Sequence, residues 1–454
     1  MSLELLRDPS ALEAYARDVS GLRNVPDAVA RPEGRGEVVE LLRQAAADKR
    51  CVTAAGAQTS TTGASVASRD WLLSLRPMAR ILDIDPVRRF ARVEPGVLIG
   101  DLQRECAPHG LFFAPDPTSE EECTVGGAIA CNASGPRTLR YGATRRHVRA
   151  VTVALADGAL YEARRPTVEK NTVGYLAAQD PVDWFVGSEG TLGVIVEAEI
   201  ALLPVPPHVL GLGIPFVTEA GALAFIVAAR QSAGVRPRCL EFFDADAFGI
   251  VRHAMDDAAW APYAQAMVYA EEAGDGEPPL DAWLALAEAH GAYDGDVRVF
   301  EGEQALREAR RLRHAAPAAM HERAAPFLSQ GGRRMSTDWA VPYPLAAAAI
   351  AKARRISAAH GLPDAVTYGH LGNGHPHQNF IARDPAEVKK IEGALQETLR
   401  AVIAMGGTVA AEHGIGKVKS KWLGLQLDAH ALAIVRALKH EFDPEGRMAP
   451  GNIL

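Results

Sequence analysis

The sequence predicts an α+β protein of at least two domains, on three observations. The chain has 454 residues and 48% hydrophobic content, enough for two or three domains around a large core. Helix-like and strand-like segments follow one another along it, and the longer helical stretches of the second half are mixed with strands. A proline-rich break at Leu203-Pro204-Val205-Pro206-Pro207 separates a glycine-rich first part from that second part, which places a domain boundary near residue 205.

Taken in order, residues 31–50 read as an amphipathic helix begun by Pro32. Cys51-Val52-Thr53 is a strand entering a loop of small residues, and 82–97 hold alternating segments with a Pro-Gly turn. Residues 148–163 form a hairpin turning at Asp157-Gly158. Residues 281–291 and 343–360 are helical, 274–279 form a loop, and 417–438 form a helix broken at Gly424.

Composition excludes several roles. A net charge of -8 does not suit wrapping nucleic acid or lying on an anionic membrane. No apolar run reaches roughly 18 residues, so no membrane span is expected. The N-terminus lacks the apolar region of a signal peptide. The scattered cysteines, Cys51, Cys106, Cys123, Cys131 and Cys239, form no C-x-x-C pair. They fit reduced thiols in the cytoplasm and argue against an iron–sulfur module in this chain.

Three small-residue loops are built to approach an anionic group: Ala55–Ala64, Pro115–Gly135 with its Thr124-Val125-Gly126-Gly127 run, and Gly187–Gly193. Neither a strand-linked G-x-G-x-x-G nor a G-x-x-x-x-G-K-[ST] is present, which argues against a Rossmann site and a P-loop.

Two histidine-bearing segments follow. In Tyr368-Gly369-His370-Leu371-Gly372-Asn373-Gly374-His375-Pro376-His377-Gln378-Asn379, Asn373-Gly374 signals a two-residue type I′ turn. That turn would set His370 opposite His377, with His375 and Asn379 on the same face as His377. In Glu412-His413-Gly414-Ile415-Gly416 a strand is expected to deliver Glu412 and His413 into a glycine turn. Two histidines and a carboxylate can hold a divalent metal and leave positions open for substrate, while a further histidine serves as base.

These motifs resemble the flavoproteins related to vanillyl-alcohol oxidase and p-cresol methylhydroxylase. The resemblance implies a two-subdomain FAD-binding domain at 1–205, an α+β substrate (cap) domain at 206–413 carrying the metal site, and a C-terminal segment, 414–454, returning to the FAD domain. It implies FAD contacts at Gly56, Ala57, Gln58, Thr59, Ser60 and Gly63 in the first loop. Further contacts fall at Pro115, Asp116, Thr118, Thr124, Gly126, Gly127, Asn132, Ser134, Tyr141 and Gly142, then at Glu189, Gly190, Gly193 and, near the C-terminus, Asn452. Where the family has R-G-x-G, this chain has Ala55-Gly56-Ala57-Gln58. No histidine lies in the first loop, where covalent members carry one, so the FAD is expected to be non-covalent.

The pair G-H-x-G-x-G-x-x-H-x-N and E-H-G-x-G resembles the glycolate oxidase subunit, D-lactate and D-2-hydroxyglutarate dehydrogenase branch. Carried over, His370, His377 and Glu412 match its metal ligands, with zinc or manganese as the ion. Asn379 and Arg313 match substrate contacts and His413 the base. This chain departs from the branch in having His375 where an asparagine is usual and Ser336 where some members have lysine, with Arg333 and Arg334 nearby.

The implied reaction is oxidation of a small D-2-hydroxy acid to the 2-oxo acid. His413 would accept the hydroxyl proton, C2 would pass hydride to flavin N5, and an external acceptor (electron-transfer flavoprotein, cytochrome, quinone or a partner subunit) would reoxidise the flavin. A homodimer is compatible with this reading. The competing readings are a metal-free flavoprotein oxidase of another alcohol, and a flavin-binding subunit of an electron-transfer complex.

Overall fold

The computed structural model describes residues 5–175 and 179–454. The chain forms two compact units. One comprises the chain up to Gly135, Gly142–Val205 and Glu412–Leu454; the other comprises Pro136–Tyr141 and Pro206–Ala411. Two boundaries differ from the linear division. Pro136–Tyr141 leaves the 1–205 stretch, and the chain re-enters the first unit at Glu412 rather than at 414. Arginines explain the excursion: Arg140 donates to the Ala273 carbonyl, and Arg137 Nε lies 3.9 Å from Glu271 Oε2 within the second unit.

The first unit holds a mixed four-stranded sheet in the order Leu5–Leu6, Ala28–Ala30, Trp71–Ser74, Val52–Ala55. The helix expected at 31–50 spans Arg35–Ala47, with extended Gly34 at its N-cap, so Pro32 precedes the helix instead of starting it. Its Val38, Leu41, Leu42 and Ala45 are buried in one cluster with Trp71 and Leu73. The valine and each leucine contribute about 1.5–3 kcal/mol relative to exposure. A five-stranded antiparallel sheet follows, in the order Ile81–Asp85, Phe90–Val93, Val194–Ala201, Val148–Ala154, Leu160–Arg164. The hairpin at Asp157-Gly158 forms as expected: Ala154 pairs with Leu160, and Gly158 takes φ +80°.

The C-terminal helical region differs from expectation. Gly424 lies inside the short helix Leu423–Gln426; the break falls at Leu427-Asp428, where Asp428 caps Ala429–Phe442 by accepting from the Ala431 N–H. A carboxylate able to satisfy a helix's orphan N–H groups punctuates the chain more strongly here than a glycine does.

The second unit is built on seven antiparallel strands: β1 His208–Phe216, β2 Pro237–Asp244, β3 Ala266–Gly274, β4 Arg298–Glu301, β5 Arg333–Ser336, β6 Val366–His370 and β7 His375–Ala382. Their order is β4-β1-β3-β2-β6-β7-β5. The long helix Gly302–Ala324 packs on this sheet, its Ala309, Leu312, Ala316 and Met320 sharing a core with Phe243, Tyr269 and Tyr368.

The histidine hairpin has another register than the Asn-Gly signal predicts. Leu371–Asn373 winds into a 3₁₀ turn, and only Gly374 (φ +72°) takes the left-handed conformation. His370 therefore pairs with His375 and Tyr368 with His377. Gly374 is confined where it sits, since a Cβ there would lie 2.0 Å from the Val341 carbonyl.

Among the described residues no helix is long and apolar enough to cross a membrane. All five cysteines are unpaired thiols.

Candidate active site

In the first unit, the glycine-rich loops and the E-H-G-x-G turn converge. The main-chain N–H groups of Ala57, Gln58, Thr59, Ser60 and Thr61 have no acceptor among the described residues, although Ala57–Ser60 are half-buried. A run of backbone donors of this kind suits a pyrophosphate. Beside it opens a cavity of ≈ 420 Å³, lined by Ala57, Gln58, Tyr15, Ser74, Arg31 and Arg76. Those two arginines put positive charge beside a loop that lacks the family's own arginine. Gln58 stands where the family has glycine and adopts φ +58°. Its side-chain amide donates to the carbonyls of Tyr15 (3.1 Å), Arg17 (3.0 Å) and Ser65 (3.4 Å), so the side chain braces the loop.

Other expected FAD positions are spent within the protein. At the Thr124 run, Val125 N–H donates to Val97 O, Gly126 N–H to Pro95 O, and Gly127 N–H to the Thr124 hydroxyl. These small residues serve close packing: a Cβ on Gly56 would sit 2.3 Å from Thr124 Oγ1, and one on Gly126 2.5 Å from Pro95. Pro115 and Asp116 are buried and Thr118 is exposed. A Cβ on Gly135 would meet the Asp116 carbonyl at 2.3 Å. Asn132 closes the helix Val125–Cys131 in the left-handed conformation and accepts from the Arg145 N–H. Ser134, Tyr141 and Gly142 are half-buried, Tyr141 in the second unit and Gly142 in the first. Gly190 and Gly193 both take positive φ.

Glu189 has a structural duty that its motif does not announce. Its carboxylate accepts from the N–H groups of Ile415 (2.6 Å) and Gly416 (2.7 Å). It thereby clamps the turn that carries His413. Burial raises its pKa, and those two N–H groups pull it partly back. The Asn452 amide donates to Ala64 O (2.8 Å) and Glu189 O (3.0 Å), and its oxygen accepts from Lys417. Thr62 donates to the His413 carbonyl at 3.3 Å, near Thr59, Ser60 and Gly63 of the same loop. His413 Nε2 lies 3.1 Å from Glu412 Oε1. No strand leads into this turn. One bridge, Ala340–Thr408, and the Ala411 N–H to Asp338 O bond (2.8 Å) anchor the preceding chain.

In the second unit a polar stripe crosses one face of the sheet. Register places Glu271 (β3), Glu241 (β2), His370 (β6), His375, His377 and Asn379 (β7), and Arg334 (β5) along it. The three imidazoles offer nitrogens that all lie within 4.8 Å of one another. Their ring centroids are 5.5 Å (His370–His375), 5.4 Å (His370–His377) and 4.4 Å (His375–His377) apart. His370 Nδ1 is 2.8 Å from both Glu241 oxygens, and His377 Nδ1 is 3.0 Å from the Thr337 carbonyl. Both partners are acceptors, so each Nδ1 carries the proton and each Nε2 presents a lone pair, the arrangement of metal-binding histidines. His375 Nε2 lies 3.2 Å from Asp338 Oδ1, off the line of a hydrogen bond.

The sequence placed His370, His375 and His377 on one face; Glu241, Asp338 and Thr337 beside them were not legible. Asn379 is 2% exposed, and its amide nitrogen donates to His377 O (3.0 Å) and Val366 O (3.4 Å). Arg313, on the long helix, is buried and adds its charge to the field at Glu271. Burial alone would raise the Glu271 carboxyl, but Arg238 (2.6 Å), Arg137 and Arg313 hold it well below the ordinary carboxylate range.

Comparison with known proteins accounts for both units. Residues 26–164 match the FAD binding domain family, and residues 205–453 match the family described as FAD linked oxidases, C-terminal domain. The chain belongs to the FAD-linked oxidases. It is 30% identical to the glycolate oxidase subunit GlcD of Bacillus subtilis (strain 168), over 95% of this chain and 89% of that one. It is likewise 30% identical to D-2-hydroxyglutarate dehydrogenase of Xanthomonas citri pv. viticola, over 100% of this chain and 94% of that one. Its fold is shared with substrate-bound p-cresol methylhydroxylase (TM-score 0.74, 16% identity, covering 99% of this chain and 93% of that one). This FAD-linked oxidase is thus an oxidoreductase that uses FAD, and the donor run at Ala57–Thr61 fits the cofactor's diphosphate.

Proposed function

We propose that this FAD-linked oxidase oxidises a small D-2-hydroxy acid to its 2-oxo acid, with non-covalent FAD and a divalent ion, zinc or manganese. The observation that carries the reading is the buried trio His370, His375 and His377, two of them with Nδ1 committed to acceptors. The names of the relatives, which act on glycolate or D-2-hydroxyglutarate, support the substrate class.

His370, His375 and His377 would hold the ion, and Glu412 is the carboxylate that the E-H-G motif offers. Bound, the ion supplies Lewis acidity and the flavin a two-electron acceptor. Arg313 suits the acid's carboxylate, because a guanidinium fork matches it bidentately. We assign the hydroxyl proton to the His413 imidazole; Glu412 Oε1, 3.1 Å from its Nε2, steadies the resulting imidazolium. Reoxidation of the bound flavin would fall to an external acceptor, which we place in the cytoplasm.

The test is anaerobic titration of the purified, FAD-loaded protein with paired D- and L-2-hydroxy acids, before and after chelation. Bleaching of the flavin bands by a D-acid, lost on chelation and restored by zinc or manganese, is the expected result. Bleaching that chelation leaves intact overturns the metal's part; no bleaching by any hydroxy acid overturns the substrate class.

A further inference from the structure

Arg334, like the half-buried Arg230 and Arg252, has no carboxylate partner among the described residues, but unlike those two helix residues it stands on a strand of the sheet that carries the histidine trio. Arg238 pairs with Glu271, Arg354 with Glu219, and its neighbour Arg333 with Glu392. Arg334 is half-buried on the polar face of the sheet, yet every partner it has is neutral. Its Nε donates to Asn379 Oδ1 (2.9 Å), its Nη2 to the Tyr368 hydroxyl (2.9 Å), and its Nη1 meets His321 Nε2 at 2.7 Å. No carboxylate lies among its partners in the described residues. Burial and the Arg334 charge both lower the His321 pKa, which keeps that imidazole an acceptor.

This placement matters because the guanidinium borders the histidine trio. Tyr368, which it holds, lies with its ring centroid 6.1 Å from that of His377. The amide of Asn379 is wholly engaged: its oxygen takes Arg334 and Tyr368, and its nitrogen takes two main-chain carbonyls. Nothing of that amide remains to meet a ligand. A guanidinium has five N–H donors. Three are taken by neutral groups that fix the plane, and the two remaining N–H groups, one on each Nη, form a fork suited to a carboxylate. A half-buried cation whose partners are all neutral keeps its charge available to an arriving anion.

We infer that Arg334 binds a carboxylate of the substrate acid, and that Asn379 is its positioning residue rather than a substrate contact. The inference deepens the reading above and rests on it for the substrate class. The carboxylate is either the one beside the reacting hydroxyl or a second one at the far end of a dicarboxylic acid, and the experiment separates the two.

FAD-loaded wild type, Arg334→Gln, Arg334→Lys and Asn379→Asp would be titrated with two anions that cannot be oxidised, oxalate and glutarate, following the flavin absorbance. The same proteins would be reduced anaerobically with a monocarboxylic and a dicarboxylic D-2-hydroxy acid. Losing a charge-assisted hydrogen bond should weaken binding about 10- to 100-fold in Arg334→Gln, seen in Kd and KM more than in the limiting rate. Arg334→Lys should recover part of the affinity. Asn379→Asp keeps the shape but presents Arg334 with a carboxylate inside the protein, so it should weaken anion binding comparably, although Arg334 is intact; a purely structural role for Arg334 predicts no such loss. Weakening toward both anions assigns Arg334 to the carboxylate beside the hydroxyl, and weakening toward glutarate alone assigns it to a distal one. Wild-type affinity in Arg334→Gln and Asn379→Asp overturns the inference. If the wild-type flavin is reduced by no hydroxy acid, the proposed function fails separately, and the anion titrations still decide the part played by Arg334.

Discussion

Replacing Glu189 by glutamine tests how the first unit holds its E-H-G-x-G turn. The carboxylate accepts two main-chain N–H groups, from Ile415 at 2.6 Å and Gly416 at 2.7 Å. Glutamine preserves size and the left-handed backbone of this position (φ +50°). It keeps one acceptor, now uncharged, and turns the other into an NH₂ facing an N–H donor. Weakening one charge-assisted bond and leaving a second buried donor unmatched costs about 2–4 kcal/mol together. The turn cannot easily find another shape: Gly414 and Gly416 both take positive φ, and a Cβ on Gly416 would lie 2.2 Å from the Thr62 carbonyl. Urea unfolding of the FAD-loaded protein should show the loss as a lower midpoint with an unchanged slope. Glu189→Gly, which relieves the backbone but removes both acceptors, should shift the midpoint the same way. Because His413 rides on this turn, flavin reduction should slow while the affinity for the acid stays near wild type. Stabilities within about 0.5 kcal/mol of wild type in both variants would refute the clamp.

Glu241→Gln keeps an acceptor for His370 Nδ1 but removes the charge behind it, and should weaken zinc binding about 10- to 100-fold in a chelator competition; unchanged affinity would disqualify His370 as a ligand through Nε2. Lys417 is buried, which lowers its pKa from 10.5 to about 8. Between those values the unfolded chain holds a proton that the folded protein does not, so stability from this group rises with pH across the window and is lost as pH falls through about 8. The difference in stability between wild type and Lys417→Met, followed from pH 7 to roughly 10, should carry that slope; a flat difference would show that Lys417 titrates normally. Gln58→Gly would relieve a left-handed residue, worth about 1–2 kcal/mol. It would also give up three side-chain bonds worth about 0.5–1.5 kcal/mol each, so a net loss of stability is expected, and a gain would mean the bracing bonds contribute little.

What the sequence could reveal follows from what its patterns encode. Glycine-rich loops can be recognised singly, because close backbone approach demands small residues, and all three do gather in one unit. Which donors each loop has left over is settled by neighbours remote in sequence. Pro95 and Val97 take the N–H groups of the Thr124 run, and no spacing rule near Thr124 announces them. The Gln58 substitution looked like a defect in a phosphate loop; its compensation lies at Tyr15 and Arg17, more than 40 residues away. In the hairpin, Asn-Gly marked the turn correctly in place but not in kind. Extending the loop to Leu371–Gly374 shifted the pairing by two and set His375, not His377, opposite His370.

The polar stripe was hidden for a related reason. Glu241 sits in Arg238-Cys239-Leu240-Glu241-Phe242-Phe243, where an acidic residue in a strand reads as solvent-facing. In the structure β2 lies between β3 and β6, Glu241 is 4% exposed, and its carboxylate is matched to His370. A charge is retained at the centre of a sheet only with a partner. Here the partners stand on adjacent strands: the guanidinium of Arg238 pairs with Glu271, and the His370 imidazole hydrogen-bonds Glu241. Arg334 breaks that rule of matched charges at the far end of the same stripe, with three neutral partners and no acid. The ion pair and hydrogen bonds of the buried acids account for how the fold tolerates them; Arg334, the cation of that stripe with neutral partners alone, is where we place an anion from outside the chain.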